Sequence, residues 1–132
     1  MAFSYFSIDT DSKKTVSQQI EEAIENQIIT GQLQPGDRIP TMRTLAKELH
    51  CGIVSVNRAI TRLHTADLLR IEKNQGVYVA DLESKEISDM QEFKILNQLE
   101  QIWLAAKESG MSESKLHQLL TQVISEDTEK SK

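Results

Sequence analysis

Between residues 31 and 40 the chain reads GQLQPGDRIP, with two glycines and two prolines in one short stretch. A helix cannot cross such a stretch, so whatever precedes it ends there and whatever follows starts anew. Ahead of it, Val16, Ile20, Ile24 and Ile28 recur every four residues, the spacing of one helical face. Thr15 followed by Gln18 has the form of a capping box at the start of that helix, and Gly31 closes it. Its other face carries Gln19, Glu21, Glu22 and Glu25, too acidic to lie against a polyanion, so the helix is expected to be a support.

After a short extended piece, Thr41 is placed to cap a second helix whose apolar side is Leu45, Ala46 and Leu49. The HCG sequence at 50–52 then predicts a tight turn, with Gly52 as the residue free to turn left-handed. A third helix is expected from about Ile53 to Ala66, with Val56, Ala59, Ile60 and Leu63 as its buried stripe. Its opposite face gathers Val54, Ser55, Arg58, Thr61 and Arg62, with Ile53 and Asn57 on the flanks. Past Leu68 and Leu69 the apolar period shortens to two, through RIEK, a turn at Asn74 to Gly76, and VYVA, which predicts a two-stranded hairpin. Helix, helix, turn, helix and hairpin is the order of a winged helix-turn-helix. The fold class is therefore mainly α with a small β-hairpin wing, the winged domain covering residues 1–80.

Residues 81–132 differ in kind. From about Ser84 to Ser109, apolar residues including Ile87, Met90, Phe93, Leu96, Leu99, Ile102 and Trp103 make a stripe too wide for one helix to hide. Gly110 ends that helix and Ser112 caps another, lined by Leu116, Leu119, Leu120, Val123 and Ile124. The final SEDTEKSK is expected to fray. A hairpin of about 40 residues cannot build its own core, so its stripe must meet another surface. Leu96, Leu99, Trp103 and Ala106 fall at the spacing of a helix–helix seam, which favours a second copy of the chain over completion of a monomeric core.

With 132 residues the chain has room for one small domain and such an appendage, not for a large enzyme. It has no glycine-rich phosphate loop, nucleophile elbow, zinc signature or carboxylate pair near a His, so neither catalysis nor a cofactor is expected. A lone Cys51 and histidines at 50, 64 and 117 predict neither disulfide nor metal, and Cys51 reads as a small core residue. No apolar run spans a membrane, and MAFSYFSIDTDSKK lacks the form of a signal peptide, so the default address is the cytoplasm. Aromatic residues make up only 5% of the chain, which disfavours a base-stacking platform.

The net charge of −5 is unevenly spread. Nine basic and nine acidic residues balance up to residue 80, while six basic face eleven acidic residues beyond it. Between Arg38 and Lys73, seven basic residues outnumber Glu48, Asp67 and Glu72, and all five arginines of the chain lie there. This distribution points to duplex DNA as the partner. Ser55 near a helix start suits a phosphate, as do Arg38, Arg43 and Lys73, while Asn57 can bond adenine and Arg58 or Arg62 can reach guanine or phosphate. Two other readings remain: a winged helix that docks proteins without DNA, and a regulator gated by a small effector held between hairpin and wing.

The segment GQLQPGDRIPTMRTLAKEL, the third helix and QGVYVA resemble the DNA-binding domain of the GntR family of bacterial regulators over about residues 15–80. The turn Pro35-Gly36-Asp37-Arg38, then Pro40, Arg43, Leu45, Ala46, Leu49, Val56, Ala59, Leu63 and Gly76 carry the match. A two-helix appendage is similar to the YtrA branch of that family. The resemblance implies a cytoplasmic dimeric repressor, often of transporter operons, whose C-terminal helices dimerise and leave little space for an effector. It implies a DNA-contacting arginine at Arg43, contacting positions at Ser55 and Asn57, and a wing-tip glycine near the minor groove at Gly76. The expected interface is thus Arg38, Thr41, Arg43, Val54, Ser55, Asn57, Arg58, Arg62, Lys73, Gln75 and Gly76. The chain departs from the pattern at Met42, at Gly52-Ile53 and at Asn57, where relatives often have Glu, Ser-Arg and Arg, so an operator sequence cannot be borrowed from them.

Overall fold

A computed structural model describes residues 2–73 and 75–130. The chain divides into two compact units, one reaching to Met90 and the other starting at Gln91.

In the first unit, α1 (Val16–Ile29) opens with the complete capping box: Gln18 N–H donates to Thr15 Oγ1 at 3.1 Å, and Thr15 N–H donates to Gln18 Oε1 at 2.9 Å. There follow β1 (Arg38–Ile39), α2 (Met42–Glu48), α3 (Ile53–Thr65), β2 (Leu69–Glu72) and β3 (Gly76–Val79). Helices α1 and α2 both pack on α3. Their shared core holds Ile20, Ile24, Ile28, Leu45, Val56 and Ile60, all fully buried. Each such side chain contributes about 1.5–3 kcal/mol relative to an exposed one.

The wing has three strands rather than the two expected. They run β1-β3-β2, each pair antiparallel, with Ile39 opposite Val77 and Leu69 opposite Val79. The turn between β2 and β3 is closed by Gln75 N–H donating to the Glu72 carbonyl at 3.0 Å. Asn74, part of the predicted turn, lies outside the described residues. The segment ahead of α1 is also part of the core: Phe3 is buried, Phe6 and Ile8 pack against the same cluster, and Gln27 exchanges two hydrogen bonds with the backbone of Ser4.

The turn at 50–52 differs from its sequence reading. His50, not Gly52, is left-handed, with φ +54. His50 N–H donates to the Lys47 carbonyl and Cys51 N–H to the Ala46 carbonyl, the paired bonds that end a helix through one left-handed residue. Gly52 is extended, at φ −74 and ψ 144, and serves as the N-cap of α3. The end of α3 repeats the device with Asp67, at φ +64.

Helix α4 (Ser84–Glu108) carries the chain into the second unit, where a turn at Gly110 leads to α5 (Glu113–Lys130). Ser112 Oγ caps α5 by accepting from Lys115 N–H at 3.1 Å. The helix continues through the stretch expected to fray, as far as Lys130, because no glycine or proline interrupts it. Thr128 Oγ1 bonds back to the Ile124 carbonyl, and Gln122 reaches Glu126 one turn on. Ser131 and Lys132 lie outside the described residues. The two helices leave between them an apolar groove of about 720 Å³, lined by Leu99, Ile102, Trp103, Leu116 and Leu120 among others. Ala106 is the one buried residue of α4, and α5 buries none.

Candidate nucleic-acid interface

The outer face of α3 is built by its position on the core. Val56, Ala59, Ile60 and Leu63 face inward and are buried, which turns Val54, Asn57, Arg58 and Thr61 to solvent. Val54 is 69% exposed, an apolar side chain with nothing over it in the chain. Ser55 is half-buried beside it. Thr61 Oγ1 lies 3.4 Å from Asn57 Oδ1, one turn along, and steadies the amide while leaving its nitrogen free to donate. Because the N-cap is Gly52, no side chain satisfies the first-turn amides of α3. Their N–H groups and the positive end of the helix dipole therefore face outward.

At α2 the arrangement is opposite. Thr41 Oγ1 accepts from Thr44 N–H at 3.1 Å and lies 2.9 Å from Thr44 Oγ1. The Thr41 hydroxyl is therefore occupied by capping, although the residue is exposed. Arg43, in the first turn of α2, is exposed. Lys73 and Gln75 are exposed where β2 turns into β3, and Gly76 begins β3 at φ +118.

Among the described residues, Arg38, Arg43, Arg58 and Lys73 form no ion pair. Two other arginines of the basic segment do. Arg62 Nη1 lies 3.6 Å from Glu21 Oε2 on α1, so the acidic face of that helix reaches the C-terminal end of α3 and draws Arg62 toward it. Arg70 Nε lies 2.6 Å from Glu72 Oε1, and its Nη1 lies 3.3 Å from Asp81 Oδ2. Its charge is spent within the sheet. The positive excess is thus held by fewer side chains than the sequence count implied: Arg38 on β1, Arg43 and Lys47 on α2, Arg58 on α3 and Lys73 at the β2–β3 turn.

Cys51 packs partly buried against the core, and that burial pushes its thiol pKa up, away from reactivity. Of the proposed seam residues, Leu96, Leu99 and Trp103 are exposed, whereas Ala106 is covered inside its own chain at the α4–α5 turn and has no surface to offer. No helix among the described residues is long and apolar enough to cross a membrane.

The sequence profile of the bacterial regulatory proteins of the gntR family matches residues 16–79, which run from α1 to the end of the wing. Over 116 residues the chain is 25% identical to the HTH-type transcriptional repressor YtrA of Bacillus subtilis, covering 88% of this chain and 89% of that protein. Among solved structures it is similar to YtrA from Sulfolobus acidocaldarius, a GntR-family transcription factor. That match has 29% identity and a TM-score of 0.53, covering 90% of this chain and 96% of the other. A GntR family transcriptional regulator from Listeria monocytogenes has the same fold, with a TM-score of 0.72 at 23% identity over 85% of this chain and 97% of its own.

Proposed function

The chain belongs to the GntR family of bacterial regulatory proteins, transcriptional regulators rather than enzymes, and on that premise we propose that it is a cytoplasmic repressor acting as a homodimer on a pseudo-palindromic operator. The observation that carries the reading is the first turn of α3, exposed and without a side-chain cap, with Arg43 and Arg58 unpaired on α2 and α3. A helix presented in this way enters the major groove with its N-terminal residues against the base edges. Asn57 bonds adenine, Val54 meets a thymine methyl, and the α3 amides with Ser55 take a phosphate. Arg43, Arg38 and Lys73 neutralise further backbone charge.

The exposed apolar face of the C-terminal helices supports a second copy. Leu96, Leu99, Trp103 and Leu120 are exposed on a pair of helices with almost no interior. A contiguous apolar surface of that kind is an interface on a monomer's scale of costs. A two-fold axis between copies sets two recognition helices about one DNA turn apart, or slightly more, hence the symmetric operator. Residues 1–80 then read DNA and residues 81–132 hold the copies together.

Selecting bound fragments from genomic DNA gives the operator, and titration across salt concentrations then tests the roles. Arg43→Ala weakens binding to every sequence and makes the salt dependence shallower by about 0.9 in log–log slope per half-site, about 1.8 for the dimer. Asn57→Ala costs about 1–3 kcal/mol of discrimination at one base pair and leaves the slope unchanged. Equal slopes and equal site preference in both variants sink these assignments. Failure of the wild-type protein to retard any duplex at low salt favours the protein-docking alternative.

A further inference from the structure

Arg38, Gly76 and Tyr78 meet on the outer face of the sheet. β1 sets Arg38 opposite Tyr78, and Gly76 follows two positions away on the same face of β3. The Arg38 guanidinium carbon lies 6.0 Å from the Tyr78 ring centroid. A Cβ placed on Gly76 would fall 2.9 Å from Arg38 Nε and 3.1 Å from its Nη2. The space a side chain at 76 would need is therefore already filled by Arg38. Arg70 flanks the same ring at 5.4 Å, but Glu72 and Asp81 neutralise it, so Arg38 is the uncompensated cation of the row.

We propose that Gly76 and Tyr78 are positioning residues for Arg38, forming a seat that holds its guanidinium beside the wing turn in readiness for an operator phosphate. Arginine loses much rotamer freedom when it is fixed by a ligand, and a seat imposes that order before DNA arrives. The glycine at 76 then serves Arg38, rather than letting its own backbone approach the groove. This rests on the DNA-binding reading above.

The test measures affinity for the selected operator and for random duplex, across salt, with thermal unfolding recorded for each variant. Arg38→Ala weakens binding to both duplexes, roughly tenfold per half-site, and lowers the salt slope by about 0.9 per half-site, about 1.8 for the dimer. Tyr78→Leu loses a few-fold in affinity, and Tyr78→Phe, which keeps the ring, restores it. In the Arg38→Ala background, neither Gly76→Ala nor Tyr78→Leu weakens binding further. Should strain at φ +118 unfold Gly76→Ala, the Tyr78 variants decide. The seat is refuted if Gly76→Ala or Tyr78→Leu costs as much without Arg38 as with it, or if Tyr78→Phe binds no better than Tyr78→Leu. A wild-type protein that binds DNA with Arg38→Ala as its equal refutes the seat alone. A wild-type protein that binds no duplex refutes the seat and the DNA-binding reading together.

Discussion

Replacing Trp103 by aspartate tests the role assigned to the C-terminal helices. Trp103 is 37% exposed in the single chain. A tryptophan offers up to about 250 Å² of surface, so roughly 90 Å² of it stands uncovered. Covering that area contributes about 2 kcal/mol per copy at ~25 cal/mol per Å². A two-fold interface contains the residue twice, which brings the loss to about 4–5 kcal/mol, a weakening of the dimer of about 1,000-fold or more. The introduced carboxylate adds the cost of desolvating a charge on an apolar face. Lys107 lies 5.8 Å above the Trp103 ring and loses that contact too, but an exposed cation–π pair contributes only about 0.5–1 kcal/mol. Sedimentation equilibrium at micromolar concentration separates the outcomes, with circular dichroism to verify that the helices persist. Leu99→Asp, on the same groove, is the companion variant. If both variants sediment as intact dimers, the seam is elsewhere and the reasoning fails.

Phe3→Ala destabilises the winged domain by about 3–5 kcal/mol, because Phe3 is buried in the same cluster as Ile24 and Ile28; an unchanged urea midpoint refutes a structural role for the segment ahead of α1. His50→Gly stabilises by about 0.5–1 kcal/mol by relieving the left-handed backbone at φ +54, while Gly52→Ala changes stability by less than about 1 kcal/mol, since Gly52 is extended with open space where a Cβ would go. Thermal unfolding of the pair measures both, and a destabilised His50→Gly contradicts the assignment.

The helices and their order were legible because each writes its own local signal. The four-residue spacing from Val16 to Ile28, the Thr15–Gln18 box and the Val56–Leu63 stripe all depend on neighbours within two turns. What sequence reasoning missed depends on partners far along the chain. β1 has two residues, too few to display a period, and is a strand only because Val77 and Tyr78 are there to pair with it. Phe3 sits in an irregular segment, where apolar residues carry no periodic mark, though Phe3, Phe6 and Ile8 ahead of a capped helix were a usable hint. Local preference misplaced the left-handed residue at 50–52, since glycine is the default for that conformation and here the register of the α2 terminus decided instead. Helix phase told which of the candidate positions face solvent, but not which of their charges are paired. Glu21 lies 41 residues from Arg62, and Asp81 stands just past the segment in which the arginines were counted.

The α4–α5 pair has almost no interior, and this bears on how the molecule comes apart. The first unit has its own core and is expected to melt at a temperature indifferent to dilution. Helices that cohere through association instead lose their order as protein becomes scarce. Heating a dilution series should therefore resolve two events, the earlier one drifting with protein concentration and the later one fixed. If the proposed dimer forms, a cell making little of this regulator would hold intact reading heads before it held coupled ones, and occupancy of the proposed symmetric site would rise more steeply than the amount synthesised.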